Sequence, residues 1–315
     1  MSELGVGMWG MGGGIGGWTG ADDRQSMAVL QAVDAGVTFF DSAQVYGAGR
    51  SDGLLGSLAR ANPGRGLFLA SKIPPKNREW PARPGSRIRD AFPEGHIRSS
   101  VEGILRQTRL DSLDLVQFHV WQDDWADDEG WQRAAEKLKR DGLVRYIGIS
   151  VNRREPENVL RTLRTGRIDS VQVVYNIFDQ APEDELFPVC RSRGVAVIAR
   201  VPLDEGSLAG TLTVDSRWPE ADWRNGYFGR ANLEATVARV EALRSLVPEG
   251  ETMAQLALRF VLSNPDVTTV IPGTRSLEHL AANLAAAEAG SLPPDLLAAV
   301  REHRWDRLQS RASMS

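Results

Sequence analysis

The sequence predicts an α/β protein, a single (β/α)8 TIM barrel over residues 1–315 with long loops at its C-terminal face. Three observations carry this expectation. Short apolar runs rich in β-branched residues alternate with helix-length runs along the whole chain, and strands buried on both faces have that composition. Glycines follow Asp141, Thr165 and Arg193, just ahead of the next apolar run, where helices stop. No linker, low-complexity segment or composition break separates the units, and barrels of this length fold as one domain.

In order, strands are predicted over residues 4–9, 37–41, 67–72, 113–119, 146–150, 170–175, 195–200 and 268–272. Helices are predicted over residues 24–35, 51–61, 96–109, 129–141, 155–164, 184–193, 233–247 and 252–263, with a last one beginning near Leu277. An open doubly wound sheet is the alternative topology. The run GGGIGG at residues 12–17 approaches the glycine-rich turn of that fold, but no acidic residue follows on a second strand at the required distance.

Strand C-termini converge on one mouth of a barrel, and chemistry is placed there. The residues ending the strands are Trp9, Asp41, Lys72, His119, Ser150, Tyr175, Arg200 and Gly273, with Gln172 inside the sixth strand. Tyr46 lies in the Gly-punctuated loop after Asp41. A phenol is a poor acid near neutrality unless its phenolate is stabilised. A close ammonium does this, and a carboxylate keeps the ammonium charged and aimed. Tyr46, Lys72 and Asp41 supply these roles. His119 supplies a hydrogen bond to a carbonyl oxygen. The four together make a proton donor for a carbonyl receiving a hydride.

Composition excludes other classes. The formal net charge of -4 and a pI near 5.7 give no basic field for nucleic acid. No apolar run approaches the ~18 residues that span a membrane. The opening residues lack a basic stretch followed by an apolar core, so no secretory signal is expected. The single cysteine, Cys190, forms no internal disulfide, and a cytoplasmic location is expected. No metal is expected, because His96, His279 and His303 lie in helical stretches without ligand spacing.

The pattern D-S-A-x-x-Y-G-x-G-x-S-D-x-x-L-G from Asp41 to Gly56, followed by Lys72 and by LDLVQFH ending on His119, resembles the aldo-keto reductases. The branch it most resembles contains bacterial stress-type reductases and potassium-channel β-subunits. YIGIS, VQVVYN, VAVIARVPL, TMAQLALRFVL and VIPGTRSLEHLAAN extend the resemblance over nearly the whole chain. It implies a barrel that binds NADP(H) without a Rossmann domain, with Asp41, Tyr46, Lys72 and His119 as catalytic tetrad. It also implies cofactor contacts. Ser150 and Gln172 would hold the nicotinamide carboxamide. The loop containing Pro202, Leu203, Gly206 and Leu208 would lie along the pyrophosphate. Gly273, Thr274 and Arg275 would meet the adenosine 2′-phosphate, and Asn283 the adenine. Arg275 near a helix start also suits a phosphate on physical grounds.

The chain departs from the family pattern in several places. Arg200 stands where an aromatic residue often stacks on the nicotinamide. Its planar guanidinium can stack there, with a charge that alters the redox balance, and an acidic substrate or the cofactor phosphates are its alternative partners. The usual Ser-Asn pair reads Ser150-Val151, with Asn152 one place late. Ala282 and His279 replace a frequent Glu and Arg of the adenosine segment.

The long loops over residues 73–95, 120–129 and 203–232 carry most of the aromatic residues near the mouth. Trp9, Trp80 and Trp121 are candidate walls of a substrate pocket for an aryl or apolar aldehyde or ketone. Arg83, Arg87 and Arg89 leave a small anionic substrate open. The expected activity is NADP(H)-dependent reduction of a small-molecule carbonyl, by a monomer or weak homo-oligomer. The alternative is a catalytically weak NADPH-binding regulatory subunit. A Schiff-base role for Lys72 would need an uncharged lysine, which Asp41 opposes.

Overall fold

The computed structural model describes residues 1–12, 31–220, 222–274 and 276–305. Its strands are β1 (Val6–Gly7), β2 (Phe39–Asp41), β3 (Phe68–Ile73), β4 (Leu113–Phe118), β5 (Val144–Ser150), β6 (Ser170–Val174), β7 (Ala196–Arg200) and β8 (Thr269–Val270). They form one parallel sheet in chain order. Bridges Leu4 to Val270 and Gly7 to Gly273 join its two ends into a nearly closed barrel with helices outside. All of β2 and β6 is buried, polar Asp41, Ser170 and Gln172 included.

Alternation along the strands sorts the side chains into two shells. Phe39, Ala70, Leu115, Ile198 and Ile271 form a small cluster of their own, the packed interior of the barrel. The opposite strand faces, including Phe40, Val116, Phe118, Ile147, Val171 and Val197, join the larger core beneath the helices. Two residues beyond Phe39, Ala70, Leu115 and Ile198, the interior face therefore presents Asp41, Lys72, Gln117 and Arg200. An apolar plug supports a polar layer.

The helices mostly follow the sequence expectation. Thr252 caps Met253–Leu262 in a reciprocal capping box with Gln255, and Ser276 caps Leu277–Glu288 by accepting from the His279 amide. Gly194 closes Leu186–Arg193 at φ 65°, a left-handed conformation that glycine adopts without Cβ strain.

Two predicted helices change and one is added. The helix expected over residues 155–164 is reduced to Leu160–Arg164, because Glu155 and Asn158 are drawn into side-chain bonds with the neighbouring loop. The helix expected over residues 233–247 begins earlier, as Arg230–Ala242. A further helix, Pro294–Arg301, follows the last predicted one. The helix expected over residues 24–35 and the run GGGIGG fall largely outside the described residues. Among the described residues no helix is long and apolar enough to cross a membrane.

Candidate active site

Asp41 ends β2 and is 2% exposed, while Lys72 on β3 is fully buried. Lys72 Nζ donates to Asp41 Oδ2, to the Ser42 carbonyl at 2.9 Å and to the Tyr46 hydroxyl at 3.5 Å. The other Asp41 oxygen accepts from Gln117 Nε2 and Gln172 Nε2, each at 3.0 Å. Taking two charges out of water costs several kcal/mol per ion, about what good pairing returns. The pair is tolerable because both carboxylate oxygens are satisfied. Burial depresses the ammonium, but Asp41 and then Tyr46 outweigh it, and the Lys72 pKa stands above its ordinary value. Lys72 remains a cation.

Tyr46 begins a short 3-10 turn whose next two residues, Gly47 and Ala48, have φ 59° and 54°. A Cβ on Gly47 would lie 1.9 Å from the Gly12 carbonyl oxygen, so the loop can press against the end of Trp9–Gly12 only as glycine. Ser51 fastens the other side, accepting from Ser42 Oγ at 2.8 Å and donating to the Met8 carbonyl at 3.2 Å. Burial raises the Tyr46 phenol above its ordinary value, and Lys72 pulls the other way.

His119 follows β4. Its ring stands edge-on to Tyr46, with centroids 5.8 Å apart, and to Trp80 at 4.6 Å. Burial first, then Lys72 and Arg200, holds the imidazole well below its ordinary pKa, so it is neutral near pH 7. Nδ1 is buried without a hydrogen-bond partner. A neutral imidazole keeps one N–H to donate.

The four tetrad candidates thus come together at one end of the barrel, joined by Gln117, which the sequence reading missed. Two positions before His119 on one strand puts both on the same face, and that spacing was the available signal.

Ser150 and Gln172 are register partners on β5 and β6 and are nearly buried. Arg200 ends β7, with Nη2 3.1 Å from the Val151 carbonyl oxygen. Burial and the neighbouring Arg153 lower its pKa to about 10. The following loop contains three non-glycine residues at positive φ, Val201, Asp204 and Glu205. Such backbone costs about 1–3 kcal/mol per residue and persists where surroundings over-determine it. Here Asp204 accepts from Ser207 Oγ and, at 2.6 Å, from Tyr227 Oη. Glu205 lies 2.7 Å from Arg153 Nη2 as an ion pair without hydrogen-bond alignment. Pro202 is buried, while Leu203 and Gly206 are partly exposed. Gly273 is exposed beside Thr274, which accepts from Asn283 Nδ2 at 3.1 Å. Arg275 lies outside the described residues.

Some residues expected at the mouth are elsewhere. Tyr175 is fully buried and faces the helices, packing on Phe187 and Phe260 and bonding Glu183 and Asn264. It stands three residues from Gln172, an odd offset that reverses the side-chain face. Trp121 is fully buried among Phe118, Trp125 and Trp131, and its indole N–H donates to Thr162 at 2.9 Å. It is core, not an open pocket wall. The Leu208 side chain is core too, leaving only its backbone to meet a ligand. Asn152 is spent holding the Trp121 backbone. Trp9 and Trp80 remain 39% and 46% exposed, and Trp9 meets Trp223 at 5.6 Å. Two hollows elsewhere, one lined by Asn152, Pro156 and Pro182 and one by Pro84, Gln122 and Glu157, exclude the tetrad.

Fold and mouth together place the chain among the (β/α)8 oxidoreductases. It belongs to the aldo/keto reductase family, whose sequence model matches residues 3–304. The chain is 28% identical over 301 residues to the NADH-specific methylglyoxal reductase of Escherichia coli, covering 91% of this chain and 90% of that protein. The glycerol dehydrogenase AKR11B4 from Gluconobacter oxydans superposes with a TM-score of 0.77 at 26% identity, over 100% of this chain and 93% of that one. An aldo-keto reductase from Klebsiella pneumoniae solved in complex with NADPH gives a TM-score of 0.69 at 25% identity, over 97% and 92%.

Proposed function

We propose that this protein is an NADP(H)-dependent carbonyl reductase that converts an aldehyde or ketone to the alcohol. The observation that carries the reading is the single ammonium of Lys72, shared between the Asp41 carboxylate and the Tyr46 phenol. When bound, a reduced nicotinamide supplies the hydride. Tyr46 delivers the proton to the carbonyl oxygen, and Lys72 stabilises the phenolate left behind. Asp41 keeps Lys72 charged and aimed, with Gln117 and Gln172 fixing the carboxylate. Neutral His119 orients the carbonyl by donating a hydrogen bond to its oxygen.

The residues present suit the cofactor. Among the described residues neither the Ser150 hydroxyl nor Gln172 Oε1 makes a hydrogen bond, and the two side chains are adjacent. Together they offer a donor and an acceptor, which is what an amide needs. The loop of Pro202, Leu203, Gly206 and Leu208 would follow the pyrophosphate, and Gly273, Thr274, Arg275 and Asn283 the adenosine end. Trp9 and Trp80 suit an aryl or apolar substrate. The relatives include an NADH-specific reductase and an NADPH complex, so the phosphate preference is put to experiment.

The test is consumption of NADPH, with NADH in parallel, across aromatic and aliphatic aldehydes and ketones by wild type and Tyr46→Phe. Turnover with NADPH above NADH, cut about 10²- to 10⁴-fold by the substitution while cofactor affinity holds, is expected. Full turnover by Tyr46→Phe would overturn the proton-donor assignment. Tight binding without turnover in wild type would favour a regulatory subunit.

A further inference from the structure

Among the described residues Arg200 is a cation without an anion. Among the described residues Asp41 gives one oxygen to Lys72 and the other to Gln117 and Gln172, and Glu205 is paired with Arg153. Arg200 forms no ion pair. Its Nη2 bonds only the neutral carbonyl of Val151, and its Nε is buried without a partner. Lys72 and Asp41 cancel, so the polar layer keeps one unbalanced positive charge, on Arg200.

The direction of this side chain is fixed by its strand. Ile198 belongs to the barrel interior, and Arg200, two residues on, lies on the same face. β6 separates β7 from β5 in the sheet. To reach Val151, one residue beyond Ser150, the Arg200 side chain must cross β6 near its register partner Val174, one inward-facing position above Gln172. The guanidinium therefore stands over the Ser150–Gln172 pair. The nearby charged and titratable groups are Arg153, Tyr46, Glu205, Asp41 and His119, and with a pKa near 10 Arg200 stays charged at neutral pH.

We infer that Arg200 sets the redox preference of the cofactor site, holding the reduced nicotinamide more tightly than the oxidised one. This rests on the Ser150–Gln172 pair holding the carboxamide, as proposed above. The oxidised ring carries one positive charge that the reduced ring lacks, and a fixed cation in a site shielded from water repels it. A neutral aromatic wall would not discriminate in this way. The consequence is a site that loads NADPH in preference to NADP⁺ and lets NADP⁺ leave readily, a bias in cofactor exchange set by one side chain.

The test is fluorescence titration of wild type, Arg200→Met, Arg200→Gln and Arg200→Lys with NADPH and with NADP⁺ at fixed ionic strength, with thermal melts to confirm folding. Wild type should bind NADPH more tightly than NADP⁺. Met and Gln should each narrow the ratio of dissociation constants about tenfold, and Lys should largely keep it. Equal weakening of both forms would overturn the inference and make Arg200 a contact to a part of the cofactor that does not change charge. An unchanged ratio, with turnover lost only for carbonyls bearing a carboxylate, would overturn it and assign Arg200 to substrate. Failure of wild type to bind either nucleotide would instead remove the functional reading on which the inference stands.

Discussion

Lys72 meets Tyr46 in two ways, with its ammonium nitrogen 3.5 Å from the phenol oxygen and 5.1 Å from the ring centroid. It touches the group that gives up a proton and also the π face that grows electron-rich as the proton leaves. Lys72→Met removes both contacts. Lys72 lowers the Tyr46 pKa against burial, so without it the phenol is pushed further up. Reduction should slow about 10²- to 10⁴-fold. In the alcohol-oxidising direction, where phenolate must accept the proton, the limb that rises as Tyr46 deprotonates should move to higher pH. pH–rate profiles in both directions check this, and an unmoved limb would show that Lys72 does not tune Tyr46.

The contact between Gly47 and Gly12 places Tyr46. Gly47→Ala puts a Cβ 1.9 Å from the Gly12 oxygen at φ 59°, and left-handed strain plus overpacking should cost about 2–4 kcal/mol. Gly95→Ala is the control, since a Cβ there meets nothing within 4 Å and the position is helical. It should be neutral or stabilising by about 0.5–1 kcal/mol. Denaturant melts and turnover should fall together for Gly47→Ala and hold for Gly95→Ala. A fully active Gly47→Ala would show that the loop is not fixed by this contact.

Asp52, fully buried, accepts from Ser71 at 2.8 Å through one oxygen and leaves the other without a partner. Burial raises its pKa above the ordinary 3.8. Stability from a group raised on folding is present below the unfolded pKa and is lost as pH rises through the folded one. Asp52→Asn keeps the bond from Ser71 and removes this loss. It should be more stable than wild type at pH 7 and little changed at pH 3. Urea melts at the two values decide it; equal stability at pH 7 would contradict the sign.

The barrel was legible because strands buried on both faces leave continuous apolar runs, and the mouth was legible because Asp41, Lys72 and His119 stand at or just beyond strand ends. Gln117 was missed although the alternation that exposes it lies within one strand, two places before His119. Tyr175 was misplaced by extending β6 one residue, which counts a helix-facing ring as a mouth residue. Trp121 could not be sorted from Trp80 by composition, since an indole in a long loop serves a core or a pocket equally well. The Arg153–Glu205 pair joins loops after different strands, and nothing local in either loop announces it.

The hydrogen bond from Gln172 to Asp41 spans 131 positions of the chain. Asp41, Tyr46, Lys72 and His119 all leave the ribosome before any part of β6 does. An emerging chain therefore carries the reactive groups well before Asp41 has its full set of donors and before β8 seals the barrel against β1. Those ionic side chains must wait, solvated, until the second half of the polypeptide arrives to bury them.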